Sequence, residues 1–297
     1  MDVIYRYDPY SPIIPKQVSD AAAAVDLLVD GNQRFADMVR TMQMRTMGAD
    51  AGEPLVIPVC PVTLGLPLYE GAVPSQAPFA VVLGCSDARV PTETVFDQWF
   101  NDLFVLRIAG NVLGSECLGS LHYAVKHLAD SLKVVVVLGH TTCGAVQAAV
   151  DTYLAPANFS DIAYTYALRS LVDQIQIAVR GSAQALKEAG GADIANDPEY
   201  RSLLVSTAVY VNAAVSALEL RRELRLRGSR QPVVFGVYQF ETLMVESLPG
   251  KSEEPIDKSQ RLRRAPATPD DLVAYAAEVA TALLAMPLDE RRSATIS

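Results

Sequence analysis

Two short segments of the sequence carry residue types that bind metal ions. One reads GCSDARVP at 84–91 and the other reads GHTTCGA at 139–145. Together they supply two cysteines and one histidine, namely Cys85, His140 and Cys143. Two thiolates and one imidazole suit tetrahedral zinc, and three protein ligands leave a fourth position for water, as in catalytic sites. The two segments therefore predict a Zn²⁺ cofactor and a catalytic metal site.

A carboxylate and a guanidinium lie close in sequence to the first of these cysteines. Two thiolates weaken zinc as a Lewis acid, and Asp87 could compensate by accepting a hydrogen bond from a zinc-bound hydroxide and orienting it. Arg89 could hold Asp87 in a bidentate pair and keep it ionised. We predict these two residues as catalytic. Two alternatives remain open: a purely structural ion pair, or Asp87 as the fourth zinc ligand in a closed, inactive site.

The middle of the chain alternates between strand-like and helix-like patterns. Runs rich in β-branched residues are typical of buried parallel strands, and they occupy 78–84, 102–108, 133–139 and 231–240. Helical patterns occupy 115–130, 143–153, 160–188 and 198–227. This alternation predicts an α/β fold with a mostly parallel, doubly wound central sheet flanked by helices. Such sheets bind ligands at the carboxyl ends of their strands, so the two metal-binding segments should meet at one edge.

Changes in composition divide the chain into three predicted parts. Residues 1–77 form an N-terminal helical arm and loop, 78–248 form the zinc-binding α/β catalytic domain, and 249–297 form a C-terminal linker and helix. Ser19 is the predicted N-cap of the arm. The helix at 198–227 carries the clearest boundary residues. We predict Asp197 as its N-cap, Pro198 at its first position and Gly228 as its stop.

Charge and composition exclude several functions. With 25 basic and 34 acidic residues, the formal charge of −9 gives no electrostatic basis for binding nucleic acid. The densest basic stretches, 222–230 and 261–264, are interpreted as a solvated helix end and a loop. The longest apolar run near 135 is too short to cross a bilayer, so we expect no membrane partner. The N-terminal residues lack a secretory pattern and four cysteines make a poor disulfide framework, which favours a cytoplasmic location.

The ordered set of motifs resembles the β-class carbonic anhydrases. Their pattern C-x-D-x-R followed by H-x-x-C is present here as Cys85, Asp87 and Arg89, then His140 and Cys143. The resemblance extends over roughly 20–246. Further similar stretches are GNQRF at 31–35, AGN at 109–111, GSLHYAVKHL at 119–128 and VVVLGHTTCGAV at 135–146. The resemblance implies reversible hydration of CO2 to bicarbonate by a zinc-bound hydroxide. It also implies a homodimer, or a higher homo-oligomer built from dimers, whose interface helps to form the active site.

The surroundings of the motifs depart from the family pattern in the substrate pocket. Most members have asparagine where Ile108 stands. Gln98 is the candidate for a pocket glutamine, with Trp99 as the alternative occupant of that position, and Gly144 is the second predicted pocket residue. Two other functions fit the same motifs: hydrolysis of carbon disulfide or carbonyl sulfide at the same site, and a non-catalytic zinc homologue.

Overall fold

Strands and helices alternate along most of the chain. The computed structural model describes residues 3–7, 16, 18–48, 55–59, 70–71, 73–250 and 258–287. Its strands are β1 (Val3–Tyr7), β2 (Leu55–Val59), β3 (Ala80–Gly84), β4 (Leu103–Arg107), β5 (Val134–His140), β6 (Val233–Tyr238), β7 (Val245–Glu246) and β8 (Arg263–Arg264). Its α-helices are α1 (Ala21–Thr46), α2 (Thr92–Val95), α3 (Ser115–His127), α4 (Gly144–Leu154), α5 (Phe159–Ile162), α6 (Tyr166–Gly190), α7 (Tyr200–Leu226) and α8 (Pro269–Ala285).

A six-stranded sheet forms the centre of the fold. Its order is β4-β3-β5-β6-β7, and β8 pairs with β6 as well. Strands β3, β4, β5 and β6 are parallel to one another, whereas β7 and β8 run antiparallel to β6. The sheet grows from β3 towards β4 on one side and towards β5 on the other, and in doubly wound sheets this reversal opens a ligand crevice at the carboxyl ends. The predicted α/β fold with a mostly parallel sheet is confirmed.

Helices cover both faces of the sheet because successive side chains of a strand point to opposite faces. Val81 and Leu83 of β3 pack into the larger core, which includes residues of α4, α6, α7 and α8. Ala80 and Val82 pack into a second core on the α1 side. Every residue of β3 and β5 is buried, as a sheet covered on both faces requires.

The long apolar helix α7 belongs to the larger core. By length and composition alone it could cross a membrane, with a mean hydropathy of 1.6 over its most apolar window. In the structure 89% of that window is buried inside the protein, where α7 packs against α6, β5 and β6. Burial of this kind is what the core helix of a globular domain shows.

The start of α7 differs from the prediction. The helix begins at Tyr200, so Asp197 and Pro198 both lie ahead of it and not at its N-cap and first position; the carboxylate of Asp197 accepts a hydrogen bond from the backbone N–H of Glu199 at 2.7 Å. That bond closes a local turn ahead of the helix instead. Gly228 follows the helix end as predicted, with a φ of +73° that favours glycine.

Other predicted boundaries are also corrected. The N-cap of α1 is Asp20 rather than Ser19, and its side chain accepts a hydrogen bond from the backbone of Ala23 at 3.0 Å. The predicted helix at 160–188 is two helices, the short α5 and the long α6, with Thr165 as the N-cap of α6. Three of the four predicted strands are shorter than their apolar runs, as at 231–240, where Pro232 lacks the N–H that a sheet ladder needs; β5 keeps the length of its run, 133–139, shifted by one residue.

The C-terminal segment adds to the central fold. Arg263 and Arg264 of β8 pair with Phe235 and Val234 of β6, and α8 packs against α6 and α7. Thr268 and Asp271 form a reciprocal capping box at the start of α8. Of the predicted N-terminal arm and loop, 1–77, parts lie outside the described residues, and β1 and β2 within it form a separate parallel pair. The three domain boundaries stay a prediction.

One buried amide joins α1 to the end of α2 and to the segment that leads into β7. Asn32 is 1% exposed. Its amide N–H groups donate to the backbone oxygens of Val95 and Leu243, both at 3.0 Å, and its amide oxygen accepts from the N–H of Val245 at 2.8 Å. Every polar atom of this side chain is therefore matched to a backbone group, as a buried amide requires.

Replacing Asn32 by leucine is expected to lower the free energy of unfolding by about 3 kcal/mol, because three buried backbone groups lose their partners. Urea unfolding followed by circular dichroism measures the loss. Gln33→Leu is the matched control: its amide donates to the exposed carboxylate of Asp37, so we expect a change within about 0.5 kcal/mol. Equal stability of both variants would contradict this account of Asn32.

Candidate metal centre

The topology brings the two cysteines and the histidine together. Cys85 directly follows β3, and His140 is the last residue of β5, the neighbouring parallel strand. Cys143 lies three residues after His140, as the N-cap of α4. All three side chains are buried, and their ligand atoms lie within 4.8 Å of one another. The prediction that the two segments meet at one edge of the sheet is confirmed, and these three residues could hold a metal ion.

The imidazole of His140 is oriented as a ligand. Its Nδ1 lies 2.9 Å from the backbone oxygen of Thr141, which can only accept, so Nδ1 carries the proton and donates it. Nε2 is then left with its lone pair, and this buried atom has no hydrogen-bond partner among the described residues. A buried lone pair without a partner is costly unless a ligand uses it, which fits a metal ion at this place.

The two thiols lie within hydrogen-bond distance of each other. Their sulfurs are 4.0 Å apart, far beyond the length of a disulfide bond. The hydrogen bond from Cys143, with His140 close by, lowers the pKa of Cys85 to about 4, whereas the adjacent Cys85 thiolate raises the pKa of Cys143. The backbone N–H of Gly110 points at the sulfur of Cys85 from 3.4 Å and supports its negative charge. A metal ion would displace the remaining proton.

Asp87 and Arg89 form a close pair beside this cluster. Arg89 Nε and Nη2 donate to the two carboxylate oxygens of Asp87 at 3.1 and 2.9 Å, and the backbone N–H of Arg89 donates as well, at 2.9 Å. The hydrogen bonds from the Arg89 side chain lower the pKa of Asp87 to about 2, against a smaller opposing effect of burial. The second carboxylate oxygen lies 3.9 Å from Nε2 of His140, so the pair faces the cluster.

Several positioning residues were not found from the sequence. Arg107 donates to the backbone oxygens of Cys85 and Asp87, the first at 2.9 Å, and so holds the loop after β3. Asn212 of α7 is buried and donates to the oxygen of Gly110 at 2.8 Å. A charged residue at the end of a strand and a polar residue within an apolar helix are the signals that could have marked them, since buried polar groups need partners.

An aromatic ring forms one wall next to the cluster. The ring of Phe240 lies 5.5 Å from the imidazole of His140, nearly edge-on, and 4.4 Å from the guanidinium of Arg89. It therefore restricts both the imidazole and the partner of Asp87 by packing and by a cation–π contact. The apolar run at 231–240 predicts a strand that includes Phe240 and gives no sign of a role in the site, whereas β6 ends before it, at Tyr238.

The predicted pocket residues lie in different surroundings. The amide of Gln98 donates to the oxygens of Phe96 and Leu27, and its oxygen accepts from Lys16. Gln98 lines a cavity of about 690 Å³ together with Trp99, and none of the three metal ligands lines that cavity. Gly144 begins α4, and a Cβ at this position would meet no heavy atom within 4 Å, so space beside it is open. Their roles as pocket residues stay predictions.

Ile108 occupies the link between the sheet and the loop that reaches Cys85. Its backbone N–H donates to the oxygen of Gly84 at 3.1 Å, and its oxygen accepts from the N–H of Asn111 at 2.9 Å. Its side chain is half-buried against the larger core. The short turn after it includes Gly110 at a φ of +68°, a left-handed conformation that aims the Gly110 N–H at the cysteine sulfur.

Comparison with known proteins gives matches over the same region. A protein-family model described as carbonic anhydrase matches residues 80–239. A carbonic anhydrase of Mycolicibacterium smegmatis is 39% identical over 144 residues, which is 48% of this chain and 60% of that protein. Carbonic anhydrase 2 of Mycobacterium tuberculosis is 50% identical over 80 residues, 27% of this chain and 38% of that protein. The chain thus spans 60% or less of the length of these relatives.

A solved structure described as the β-carbonic anhydrase CcaA also aligns with the chain. The alignment covers 58% of this chain and 74% of that one, at 22% identity and a TM-score of 0.44. The family assignment accordingly rests on the family model, which covers more than half of the chain, and on the sequence relatives.

Proposed function

The chain belongs to the β-class carbonic anhydrase family, and on that premise we propose that it catalyses the reversible hydration of carbon dioxide to bicarbonate with zinc as cofactor. One observation carries the proposal: the unpartnered Nε2 of buried His140 lies beside two thiols and faces the carboxylate of Asp87. A metal-binding set of side chains beside an ionised carboxylate is an arrangement that can activate and orient water.

The donor set and its spacing fit zinc. Two sulfurs bound to one tetrahedral zinc ion at its usual bond length lie about 3.8 Å apart, and those of Cys85 and Cys143 are 4.0 Å apart. Zinc held by these cysteines and His140 supplies a bound water of lowered pKa, a chemistry for which carbonic anhydrases are the standard example. Thr141 fixes the tautomer of His140 in which Nε2 is free to bind the metal.

Asp87 acts on the reacting water in this proposal. Its carboxylate is ionised at neutral pH, so it can only accept a hydrogen bond, and accepting one from the water turns the lone pair of that water towards the substrate carbon. Arg89 occupies the carboxylate from the other side in a bidentate pair, which keeps Asp87 from rotating. Gly144, next to Cys143, is exposed and has open space beside it, so a small neutral gas such as CO2 could approach from solvent there.

A second copy of the chain is the proposed partner. Strand β4 is an edge of the central sheet, and within the described residues it pairs with β3 alone. Its apolar side chains, Leu103, Phe104, Val105 and Leu106, are only half-buried. An apolar edge strand with unpaired backbone groups is a ready template for another chain, which supports a homodimer or a larger homo-oligomer built from dimers. A cytoplasmic location stays part of the proposal.

We expect the purified protein to contain zinc and to hydrate CO2 between about pH 7 and pH 9, measured by elemental analysis and stopped-flow assay. Because its folded pKa is depressed, the Asp87 carboxylate is retained over this range and is lost only as the pH falls towards about 2. Any fall in rate towards neutral pH should therefore follow an ionisation other than that of Asp87.

Each rival function gives a different result in the same experiment. Bound zinc without hydration at any of these pH values would support the non-catalytic zinc homologue and contradict the proposal. Turnover of carbon disulfide or carbonyl sulfide without turnover of CO2 would support the alternative hydrolase. Activity that appears only at the alkaline end would support an Asp87 that closes on the metal at rest, in conflict with its pairing to Arg89.

A further inference from the structure

The two densest basic stretches of the sequence meet in the fold. Arg221 and Arg225 at the end of α7, Arg230 in the following loop and Arg264 of β8 line one cavity of about 380 Å³. No aspartate or glutamate is among the residues that line it. The chain as a whole carries a net charge of −9. A cavity lined by four arginines and by no acidic residue is therefore locally positive in a negatively charged protein.

Most of these arginines have no acidic partner. Within the described part of the chain, Arg225, Arg230 and Arg264 make no hydrogen bond or ion pair to a carboxylate, whereas the nearby Arg227 and Arg263 each pair with a glutamate. An arginine left without a carboxylate partner keeps its planar set of donors free for an incoming oxyanion.

Arg221 shows the cost of this arrangement. Its Nη1 donates to the backbone oxygen of Ala265 at 3.1 Å, which orients the side chain across the cavity. Burial lowers its pKa first, and the positive charges of Arg225 and Arg264 lower it further, against an opposing effect of Asp271. The positive charges of these arginines therefore lie close enough to repel one another. Selection for stability alone would not favour such an arrangement.

Favourable interaction with the helix end explains only part of the cluster. Cations near a helix C-terminus are stabilised by the helix dipole, which accounts for Arg225 in the last turn of α7. It does not account for Arg264, which β8 brings in by pairing with Val234 of β6, nor for Arg230 beyond the helix. Helix α7, the loop after it and strand β8 therefore each place an arginine in the same cavity.

The neighbouring cavity indicates what a ligand could carry besides negative charge. It measures about 640 Å³ and shares Leu224, Ser229, Arg230, Gln231 and Pro232 with the arginine cavity. Its lining adds the apolar side chains of Val125 and Leu132 and the cations of Lys126 and Lys133. Together the two cavities offer a cationic end and a partly apolar end, which suits an anion attached to an organic group.

We propose that Arg221, Arg225, Arg230 and Arg264 bind the phosphate group of a small phosphate-containing ligand. Guanidinium groups match phosphate oxygens in geometry and charge, and several of them can surround a dianion that a single lysine would hold weakly. Val233 lines the site at the start of β6, whereas Tyr238 at the other end of that strand pairs with His140. The phosphate site thus lies at the edge of the sheet opposite the metal centre, and it does not depend on the proposed hydration reaction.

Isothermal titration of the full-length, zinc-loaded protein tests the proposal, with inorganic phosphate and AMP as probes in chloride buffer of constant ionic strength. We expect saturable binding that Arg225→Gln and Arg264→Gln each weaken about tenfold or more, because each removes a charge-assisted hydrogen bond. Arg180→Gln is the matched control, since Arg180 is exposed on α6 outside the site; binding should change less than about twofold. Tighter binding of AMP would identify an organic phosphate, and equal binding would identify free phosphate. No binding, or equal loss in all three variants, would overturn the site.

The stability of the unliganded variants gives a second readout. Arg264→Gln removes a repulsive charge, so its melting temperature should equal or exceed that of the original protein, and its CO2 hydration rate should stay the same. A lower melting temperature would mean that Arg264 serves the packing of β8 instead of a ligand, and would overturn the proposal. If the original protein did not hydrate CO2, the phosphate-binding result would still stand. The proposed hydration reaction and the proposed phosphate site can therefore fail separately.

Discussion

Replacing His140 or Cys85 by alanine is expected to abolish zinc binding and CO2 hydration together, with the rate falling about a thousandfold or more. Each variant removes one of three ligand atoms that lie within 4.8 Å of one another. Two remaining ligands hold a divalent ion poorly, because the lost metal–ligand bond contributed to the binding free energy that compensates for removing the ion from water. Elemental analysis and stopped-flow assay on the same samples measure the two losses.

Two matched controls separate loss of the metal from general damage. Cys117→Ala changes a half-buried thiol on α3 that lies outside the metal cluster, and His127→Ala changes an imidazole on the same helix that packs on Tyr123. Both should keep their zinc and most of their activity. An alanine variant at position 85 or 140 with full zinc content and full activity would refute the proposed metal centre.

Replacing Asp87 by asparagine should lower the hydration rate by about a hundredfold or more while zinc content stays the same. The amide loses the negative charge that accepts the hydrogen bond from the reacting water. It also loses the bidentate pair with Arg89, whose donors lie 2.9 and 3.1 Å from the carboxylate. Arg89→Lys should cause a smaller loss, because one ammonium group cannot hold both carboxylate oxygens.

The exposed pair of Asp151 and Arg201 provides the control for this prediction. It has the same bidentate geometry, at 2.6 and 2.8 Å, but lies on the surface away from the metal ligands. Asp151→Asn should leave the hydration rate within about twofold, since exposed ion pairs contribute little. A loss of zinc from Asp87→Asn would contradict the orienting role and favour Asp87 as a metal ligand.

Local patterns were sufficient for the fold class and for the meeting of the three candidate metal ligands. Buried parallel strands such as β3 and β5 require unbroken apolar runs, so their composition alone identified them. Parallel strands end at a common edge, so Cys85 and His140, each at the end of such a run, had to lie near one another. The stop of α7 at Gly228 was likewise local, because a left-handed residue there is most easily glycine.

Boundaries that depend on competing local bonds were less well predicted. Aspartate is a common N-cap residue, but the carboxylate of Asp197 accepts a hydrogen bond from the backbone N–H of Glu199 and closes a turn ahead of α7. Ser19 and Asp20 are both capping residues, and only the backbone conformation decides that Asp20 takes the position. Such choices differ little in free energy, so tertiary packing settles them.

The sequence by itself determined the α/β architecture and the meeting of Cys85, His140 and Cys143 at one edge of the sheet, because these follow from periodicity, strand composition and the rules of parallel sheets. Only the tertiary structure decided that Phe240 lies beside His140 and Arg89, that Gln98 lines a cavity apart from the three candidate metal ligands, and that two basic stretches converge on a single concave site. These features depend on side chains that are distant in sequence and adjacent in space. No local pattern encodes such distances, because packing of the helices and of β8 on the sheet sets them.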